Sequence, residues 1–174
     1  MLRRLFPLAE LVTPNIPEAE EILKAVDGSD KADDGLMENK QVASEMTSSV
    51  QIVDQAGMEK VAQEIRQKYG CNVLLKGGHM TQAADDLLYQ TQAVWFPAER
   101  IKCSNTHGTG CTLSSAIASA LARGYSLEEA VGIAKVYVRS AMSTGLDLGR
   151  GNGPLDHNWS ISSAVISQSD QPSR

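Results

Sequence analysis

A glycine-containing turn that leads directly into a predicted helix is the part of this sequence best suited to chemistry. It reads Asn105-Thr106-His107-Gly108-Thr109-Gly110-Cys111, and apolar residues then recur at helical spacing up to Gly124. Glycines before a helix let the backbone approach a bound group closely. The first N–H groups of a helix have no partner within it, and the helix dipole there favours negative charge. The stretch therefore predicts an anion site suited to a phosphoryl group in transfer.

Cys111 adds a thiol to the first turn of the same predicted helix. A helix N-terminus favours the thiolate form of a cysteine, and a thiolate can accept the proton of a substrate hydroxyl. The alternative is that the glycines form an ordinary helix cap and that the cysteine is a small buried apolar residue. The position of Cys111 beside Gly108 and Gly110 favours the catalytic interpretation, whereas Cys71 and Cys103 are interpreted as structural.

Length and composition narrow the classes of protein that have to be considered. The chain has 174 residues, 42% of them hydrophobic and 21% charged, which is typical of one globular domain with a sizeable core. A net charge of −5 gives no reason to expect a nucleic acid or an anionic membrane as partner. No apolar run approaches the roughly 20 residues that span a bilayer. Three cysteines without metal-ligand spacing favour a reducing, cytoplasmic location.

The elements that must position these residues alternate between strands and helices, which predicts an α/β fold with a mostly parallel sheet flanked by helices. Strands are predicted near 10–13 and 72–76, and a hairpin near 86–97. Helices are predicted from about 16, over 56–69, 110–123 and 127–143. Residues 27–50 are predicted to be a surface loop with one short helix around 38–46. The serine-rich tail, 160–174, is predicted to be disordered.

Two further groups of residues lie where these elements begin and end. Asn15 precedes the predicted helix, with Glu18 in its first turn, so both residues suit a helix cap. Lys76 ends the apolar strand at 72–76, and α/β proteins bind ligands at the carboxyl ends of their strands. The alternative for Lys76 is a solvated side chain beside the turn Gly77-Gly78.

Three segments together resemble one known family. The stretch 105–118, Asn-Thr-His-Gly-Thr-Gly-Cys-Thr-Leu-Ser-Ser-Ala-Ile-Ala, resembles the anion-hole motif of the hydroxymethylpyrimidine/phosphomethylpyrimidine kinases of thiamine biosynthesis, in the ribokinase-like superfamily. Most members of that superfamily carry Asp at the position of Cys111, and the Cys form points to the pyrimidine kinases. Residues 13–20 resemble the Asn-x-x-Glu segment of these kinases, and residues 149–157 resemble their closing segment.

The resemblance implies a ribokinase-like fold, ATP and Mg²⁺ as cofactors, and a role for each matching residue. Gly108, Thr109 and Gly110 would bind the transferring phosphoryl group, and Cys111 would accept the substrate proton. The cofactor-binding residues implied are Lys76, Asn15, Thr106 and His107. Glu18 would lie beside the metal ion.

The resemblance covers residues 1–159, as the C-terminal part of a kinase domain with an insertion at 27–50. The N-terminal βα units, which carry most pyrimidine contacts in the family, are lacking. The expected reaction is phosphorylation of hydroxymethylpyrimidine or its phosphate, with poor activity for the chain alone. A pyridoxal kinase and a non-catalytic nucleotide-binding remnant are the alternatives. A homo-oligomer and a complementing N-terminal fragment are the partner hypotheses.

Overall fold

The computed structural model describes residues 2–29, 52, 54–78, 85–99, 101, 107–146, 148 and 153–160. They belong to two compact units, one within residues 1–100 and one within residues 101–174. The described helices are α1 (Leu2–Leu5), α2 (Ile16–Ser29), α3 (Gln55–Tyr69), α4 (Thr109–Ala122) and α5 (Leu127–Ser143), with a 3-10 turn at Phe6–Leu8. The described strands are β1 (Leu11–Val12), β2 (Asn72–Leu75), β3 (Asp86–Tyr89) and β4 (Ala93–Phe96). Within this part of the chain, no helix has the length and apolar character needed to cross a bilayer.

The four described strands form one sheet in the order β1-β2-β3-β4. β1 pairs with β2 in parallel, whereas β2 with β3 and β3 with β4 pair antiparallel. The α/β class and the hairpin are confirmed, but this part of the sheet is mixed, not mostly parallel. The reason is the length of the connections. The long crossover through α2 and α3 allows parallel pairing of β1 and β2, whereas the shorter connections to β3 and β4 reverse the chain direction.

Helix α3 covers one face of the sheet in the first unit. Its N-cap is Asp54, whose Oδ1 accepts a hydrogen bond from the Gly57 amide at 2.8 Å. It ends at Gly70, which adopts the left-handed conformation that glycine tolerates, with φ of 75°. The buried residues of the helix follow the predicted spacing and pack with Val73, Leu75 and Leu87 of the sheet; they are Met58, Val61, Ala62, Ile65 and Tyr69. The predicted helix over 56–69 is therefore confirmed.

Helix α2 continues further than the sequence predicts. It ends at Ser29, whereas the loop was predicted to begin at Asp27. Glycine and serine weaken a helix interior but are tolerated in its last turn, which accounts for the difference. Residues 30–50, with the predicted helix around 38–46, lie outside the described residues, as do residues 161–174 of the predicted disordered tail.

The second unit contains the helical hairpin of α4 and α5. The chain leaves α4 through Gly124, whose φ is 89°, and its amide donates to the Leu121 carbonyl at 2.9 Å. Ser126 and Glu129 then form a capping box at the start of α5. The residues buried along the two helices are Leu113, Ile117, Ala120, Leu127, Ala130, Val131, Ala134 and Ala141. Both predicted helices are confirmed to within one residue at each end.

Candidate active site

The turn before α4 has the backbone conformation that its glycine predicts. Gly108 is the N-cap, with φ of 82° and ψ of 0°, in the left-handed region that side-chain-bearing residues rarely adopt. Its carbonyl accepts from the Thr112 amide at 2.9 Å, which begins the helical hydrogen bonding. No side chain of Gly108 caps the turn. The first amides of a helix point out of its N-terminus, which is the direction from which helices bind anions. His107 beside it is exposed, and Thr106 lies outside the described residues.

Cys111 is exposed in the first turn of α4, together with the half-buried Thr109 and Gly110. The nearby Ser114 hydroxyl is directed back to the helix, because it contacts the carbonyls of Gly110 and Cys111 at 3.1 Å each. A free cysteine is usually a small buried apolar residue, but Cys111 is exposed. Cys71 has that role instead, since it is 2% exposed and its burial raises the pKa of its thiol.

Asn15 and Glu18 form a reciprocal pair at the start of α2. The Glu18 amide donates to Asn15 Oδ1 at 2.8 Å, and the Asn15 amide donates to Glu18 Oε2 at 2.7 Å. This is the geometry of a capping box, with Asn15 in the place more often taken by Ser or Thr. The capping interpretation of both residues is therefore confirmed. Glu18 is exposed, and the hydrogen bond from the Asn15 amide uses its Oε2.

Lys76 lies beside this pair in the first unit. β1 and β2 run parallel, and beyond their ends Asn15 and Lys76 form an isolated parallel bridge. The Lys76 amide donates to the Pro14 carbonyl at 2.9 Å. Asn15, Glu18 and Lys76 thus share the carboxyl ends of two adjacent parallel strands, which is the edge where α/β proteins bind ligands.

Asp86 is a supporting residue that the sequence did not indicate. Its Oδ1 accepts a hydrogen bond from the Gly77 amide at 2.9 Å and so fixes the turn directly after Lys76. Position 77 also has to be a glycine, because a Cβ there would overlap the backbone carbonyl of Asp85. The alternation of residues along β3 could have placed Asp86 at the start of the strand. Its partner Gly77, however, follows the end of β2, and no local pattern in the sequence specifies that pairing.

The described residues contain no cluster of three or more His, Cys, Asp or Glu side chains that could enclose a metal ion. Mg²⁺ does not need such a cluster, since it keeps several of its waters and commonly uses one or two carboxylates together with substrate phosphates. The exposed carboxylate of Glu18, which is hydrogen-bonded to Asn15 of the Asn15–Lys76 bridge, fits that mode of binding.

A groove on the surface of the second unit extends from the first turn of α4 to Tyr125. Cys111 and Thr112 lie along it, as do Tyr137 of α5 and His157. The Tyr137 hydroxyl is 3.1 Å from His157 Nδ1. No pattern in the sequence indicates Tyr137, because its partner His157 lies beyond the end of the helix and outside any helical spacing.

The comparisons with known proteins agree on one family. Residues 36–156 match the family model described as phosphomethylpyrimidine kinase. The hydroxymethylpyrimidine/phosphomethylpyrimidine kinase of Rhizobium meliloti is 39% identical over 161 residues, which make up 90% of this chain and 52% of that protein. This chain corresponds to the C-terminal part of such relatives and spans about half their length.

Solved structures give the same result for the fold. The phosphomethylpyrimidine kinase of Clostridium difficile has a TM-score of 0.56 and 35% identity, covering 80% of this chain and 46% of that one. The ADP complex of Staphylococcus aureus pyridoxal kinase has a TM-score of 0.70 and 31% identity, covering 90% and 50%. The ribokinase of Thermotoga maritima, at 21% identity and a TM-score of 0.58, supports the ribokinase-like fold alone. With the exposed Cys111 after Gly108 and the Asn15–Lys76 edge, these matches show that the chain belongs to the phosphomethylpyrimidine kinase family.

Proposed function

We propose that this chain handles the nucleotide and phosphates in a kinase that phosphorylates hydroxymethylpyrimidine or its phosphate with ATP. The observation that carries the proposal is the exposed Cys111 in the first turn of a helix whose N-cap is the left-handed Gly108. The chain covers about half the length of its relatives, so their activity and substrates are part of the proposal. A cytoplasmic location belongs to the same proposal.

In the proposed reaction, the substrate hydroxyl oxygen forms a bond to the γ-phosphorus of ATP, and the bond from that phosphorus to the bridging oxygen of ADP breaks. The substrate proton passes to the sulfur of Cys111, the proposed general base. The amides of Gly108, Thr109 and Gly110 bind the oxygens of the transferring group, where fixed donors stabilise developing charge. Thr106 and His107, just before this turn, are assigned to the nucleotide phosphates.

Lys76 neutralises phosphate charge from its position at the end of β2. Glu18 and Asn15 would hold Mg²⁺ through its bound waters, and the ion would supply charge neutralisation between the phosphates. The reciprocal Asn15–Glu18 hydrogen bonds support this assignment, because they fix the direction of the Glu18 carboxylate.

Pyridoxal is the second candidate acceptor. It is favoured by the structural match to the S. aureus pyridoxal kinases, at TM-scores of 0.70. The acceptor contacts of the family are expected in the half of the relatives that this sequence does not cover, so the present residues do not discriminate between the two acceptors.

The experiment joins this chain to the amino-terminal half of the R. meliloti relative and measures ADP release with hydroxymethylpyrimidine, its phosphate and pyridoxal. ATP- and Mg²⁺-dependent turnover of either pyrimidine supports the proposal. Turnover of pyridoxal alone favours the second candidate. A folded but inactive chimera, whose circular dichroism matches that of the relative, would leave the non-catalytic nucleotide-binding remnant as the better account. Size-exclusion chromatography of the 174-residue chain, with and without the separate amino-terminal half, tests the homo-oligomer and the complementing fragment.

A further inference from the structure

The segment 153–160 follows a defined path along α5. Leu155 is 4% exposed and anchors the segment by apolar burial. The Asp156 amide donates to the Ala141 carbonyl in the last turn of α5, at 3.3 Å. Asp156 then forms a turn, since its Oδ1 accepts from the Asn158 amide at 2.9 Å. The segment is therefore attached to α5 through its backbone.

An aromatic cluster continues this attachment. The Tyr137 hydroxyl and His157 Nδ1 are 3.1 Å apart, and their rings stack with centroids 6.1 Å apart and an interplanar angle of 23°. Trp159 meets the same tyrosine ring edge-on, with centroids 6.2 Å apart. Such ring pairs stabilise a structure beyond the area that they bury. Tyr137 thus holds two residues of the closing segment.

The register of the helical hairpin places this cluster beside the first turn of α4. The two helices leave their connection, Arg123–Ser126, in opposite directions with the same rise per residue. Counted in residues along the chain, Ala141 and Gly108 are equally far from the middle of that connection, so they lie at the same level of the hairpin. The same holds for Tyr137 and Thr112. The segment from Asp156 to His157 therefore runs along the part of α5 that faces the turn Gly108–Thr112. The shared groove of Cys111, Thr112, Tyr137 and His157 agrees with this register.

We propose that His157, held by Tyr137, is a positioning residue of the phosphoryl-transfer site, an inference that rests on the proposed function. The pair fixes the closing segment as one side of the groove next to Cys111, so that phosphates bound at the first turn of α4 meet an ordered surface. Such preorganisation improves binding because less freedom is lost when the ligand arrives. His157 acts through the segment and not on the reacting atoms.

The test uses the 174-residue chain carrying Trp95→Phe, which leaves Trp159 as its one tryptophan. AMP-PCP with Mg²⁺ is titrated by calorimetry and by Trp159 fluorescence. Tyr137→Phe and His157→Ala each break the hydrogen bond and are expected to raise the Kd about three- to tenfold, the net value of one such bond. Their double variant is expected to bind no more weakly than the worse single one, because the two residues act as a unit. His157→Asn keeps a polar atom near the Nδ1 position and is expected to restore binding.

Tyr125→Phe is the matched control, since Tyr125 lies at the far end of the same groove and contacts Arg123. It is expected to leave the Kd unchanged. Unfolding midpoints are recorded for every variant. A lower midpoint with an unchanged Kd for Tyr137→Phe and His157→Ala would overturn the inference and leave the proposed function standing. Absence of AMP-PCP binding by the parent chain would overturn both, so the two failures are distinguishable.

Discussion

At the residue scale, the two described cysteines have opposite environments. Cys71 follows α3 and is buried in the core, where desolvation raises the pKa of its thiol. Cys111 is exposed in the first turn of α4. A cysteine that takes part in chemistry has to be accessible, so burial keeps Cys71 inert whereas Cys111 can be reached. The proposed catalytic role therefore falls to Cys111 and not to Cys71.

Cys111→Ser, made in the chimera with the amino-terminal half of the relative, is expected to keep the fold and lose turnover. Serine is nearly isosteric and suits a first helical turn, but its hydroxyl is a much weaker base than a thiolate. General-base removal typically costs about 10²–10⁴-fold in rate. The KM for ATP should change little, because the phosphate contacts are assigned to backbone amides and Lys76.

Cys111→Asp serves as the companion variant, because a carboxylate accepts protons directly and most of the superfamily carries Asp there. It is expected to recover part of the lost rate. The measurement is kcat and the KM for ATP of the three forms, with circular dichroism as the fold control. Turnover of Cys111→Ser at the parent rate would show that the thiol is structural.

Glu18 has one observed role and one proposed role, which substitution can separate. Its Oε2 caps α2, and its charge is proposed to lie beside Mg²⁺. Glu18→Gln retains the capping geometry, because glutamine also serves at this position of a capping box, but it removes the charge. We expect the unfolding midpoint of Glu18→Gln to stay near that of the parent, while the chimera needs more Mg²⁺ for half-maximal turnover. Glu18→Ala, the control, is expected to lower the unfolding midpoint and also to raise the Mg²⁺ concentration needed for half-maximal turnover. An unchanged Mg²⁺ requirement in Glu18→Gln would contradict the metal role.

At the element scale, α5 is the helix whose start is most fully specified. The Glu129 amide donates to Ser126 Oγ at 3.3 Å, and Glu129 Oε2 accepts from the Ser126 amide at 2.9 Å and from its hydroxyl at 2.7 Å. The Ser126 side-chain hydrogen bond, followed by that from its backbone, lowers the pKa of the Glu129 carboxyl. The capping box thus favours the ionised form of Glu129 in the folded state.

This pKa shift predicts a pH-dependent effect of Ser126→Ala. A carboxyl whose pKa is lowered on folding adds stability above its unfolded pKa and loses it as the pH falls through the folded pKa. Replacement of an N-cap serine by alanine generally costs about 0.5–2 kcal/mol. We expect that cost in urea unfolding at neutral pH, and a smaller difference between the two chains once the pH is below the ordinary glutamate value of about 4.3.

Ser119→Ala is a suitable comparison, because the Ser119 hydroxyl donates to the Ser115 carbonyl within α4, at 2.8 Å, and this contact involves no carboxylate. Its effect on the free energy of unfolding should be independent of pH over the same range. An equally pH-independent effect of Ser126→Ala would show that Glu129 does not contribute through its charge.

At the scale of the whole molecule, the chain spans about half the length of the relatives that it matches. Its described residues include the glycine turn at Gly108 in one unit and the Asn15–Lys76 bridge in the other. Rate in phosphoryl transfer depends on holding the acceptor hydroxyl in line with the phosphorus. We expect the acceptor contacts of the family in the half that this sequence does not cover.

We therefore expect the purified 174-residue chain to bind AMP-PCP but to phosphorylate hydroxymethylpyrimidine far more slowly than the full-length R. meliloti relative. The measurement is ADP release at matched enzyme concentrations, with isothermal titration for AMP-PCP. Robust phosphorylation by the chain alone would refute this expectation.

The sequence alone determined the features that depend on neighbours along the chain. The start of α2 at Asn15–Glu18, the end of α3 at Gly70 and the bounds of α4 and α5 follow from caps and apolar spacing. Each depends on hydrogen bonds over three or four residues, which a local pattern specifies. The assignment of Gly108 to a special backbone conformation has the same local origin.

Only the tertiary structure decided the features that join distant parts of the chain. The mixed direction of the sheet, the Asn15–Lys76 bridge, the Asp86–Gly77 hydrogen bond and the Tyr137–His157 pair all belong to this class. Strand pairing and helix packing determine these partners. The same packing also gives residues of one type different environments. Cys71 and Cys111 are the clearest case, because burial makes one inert and exposure in a helix turn makes the other available.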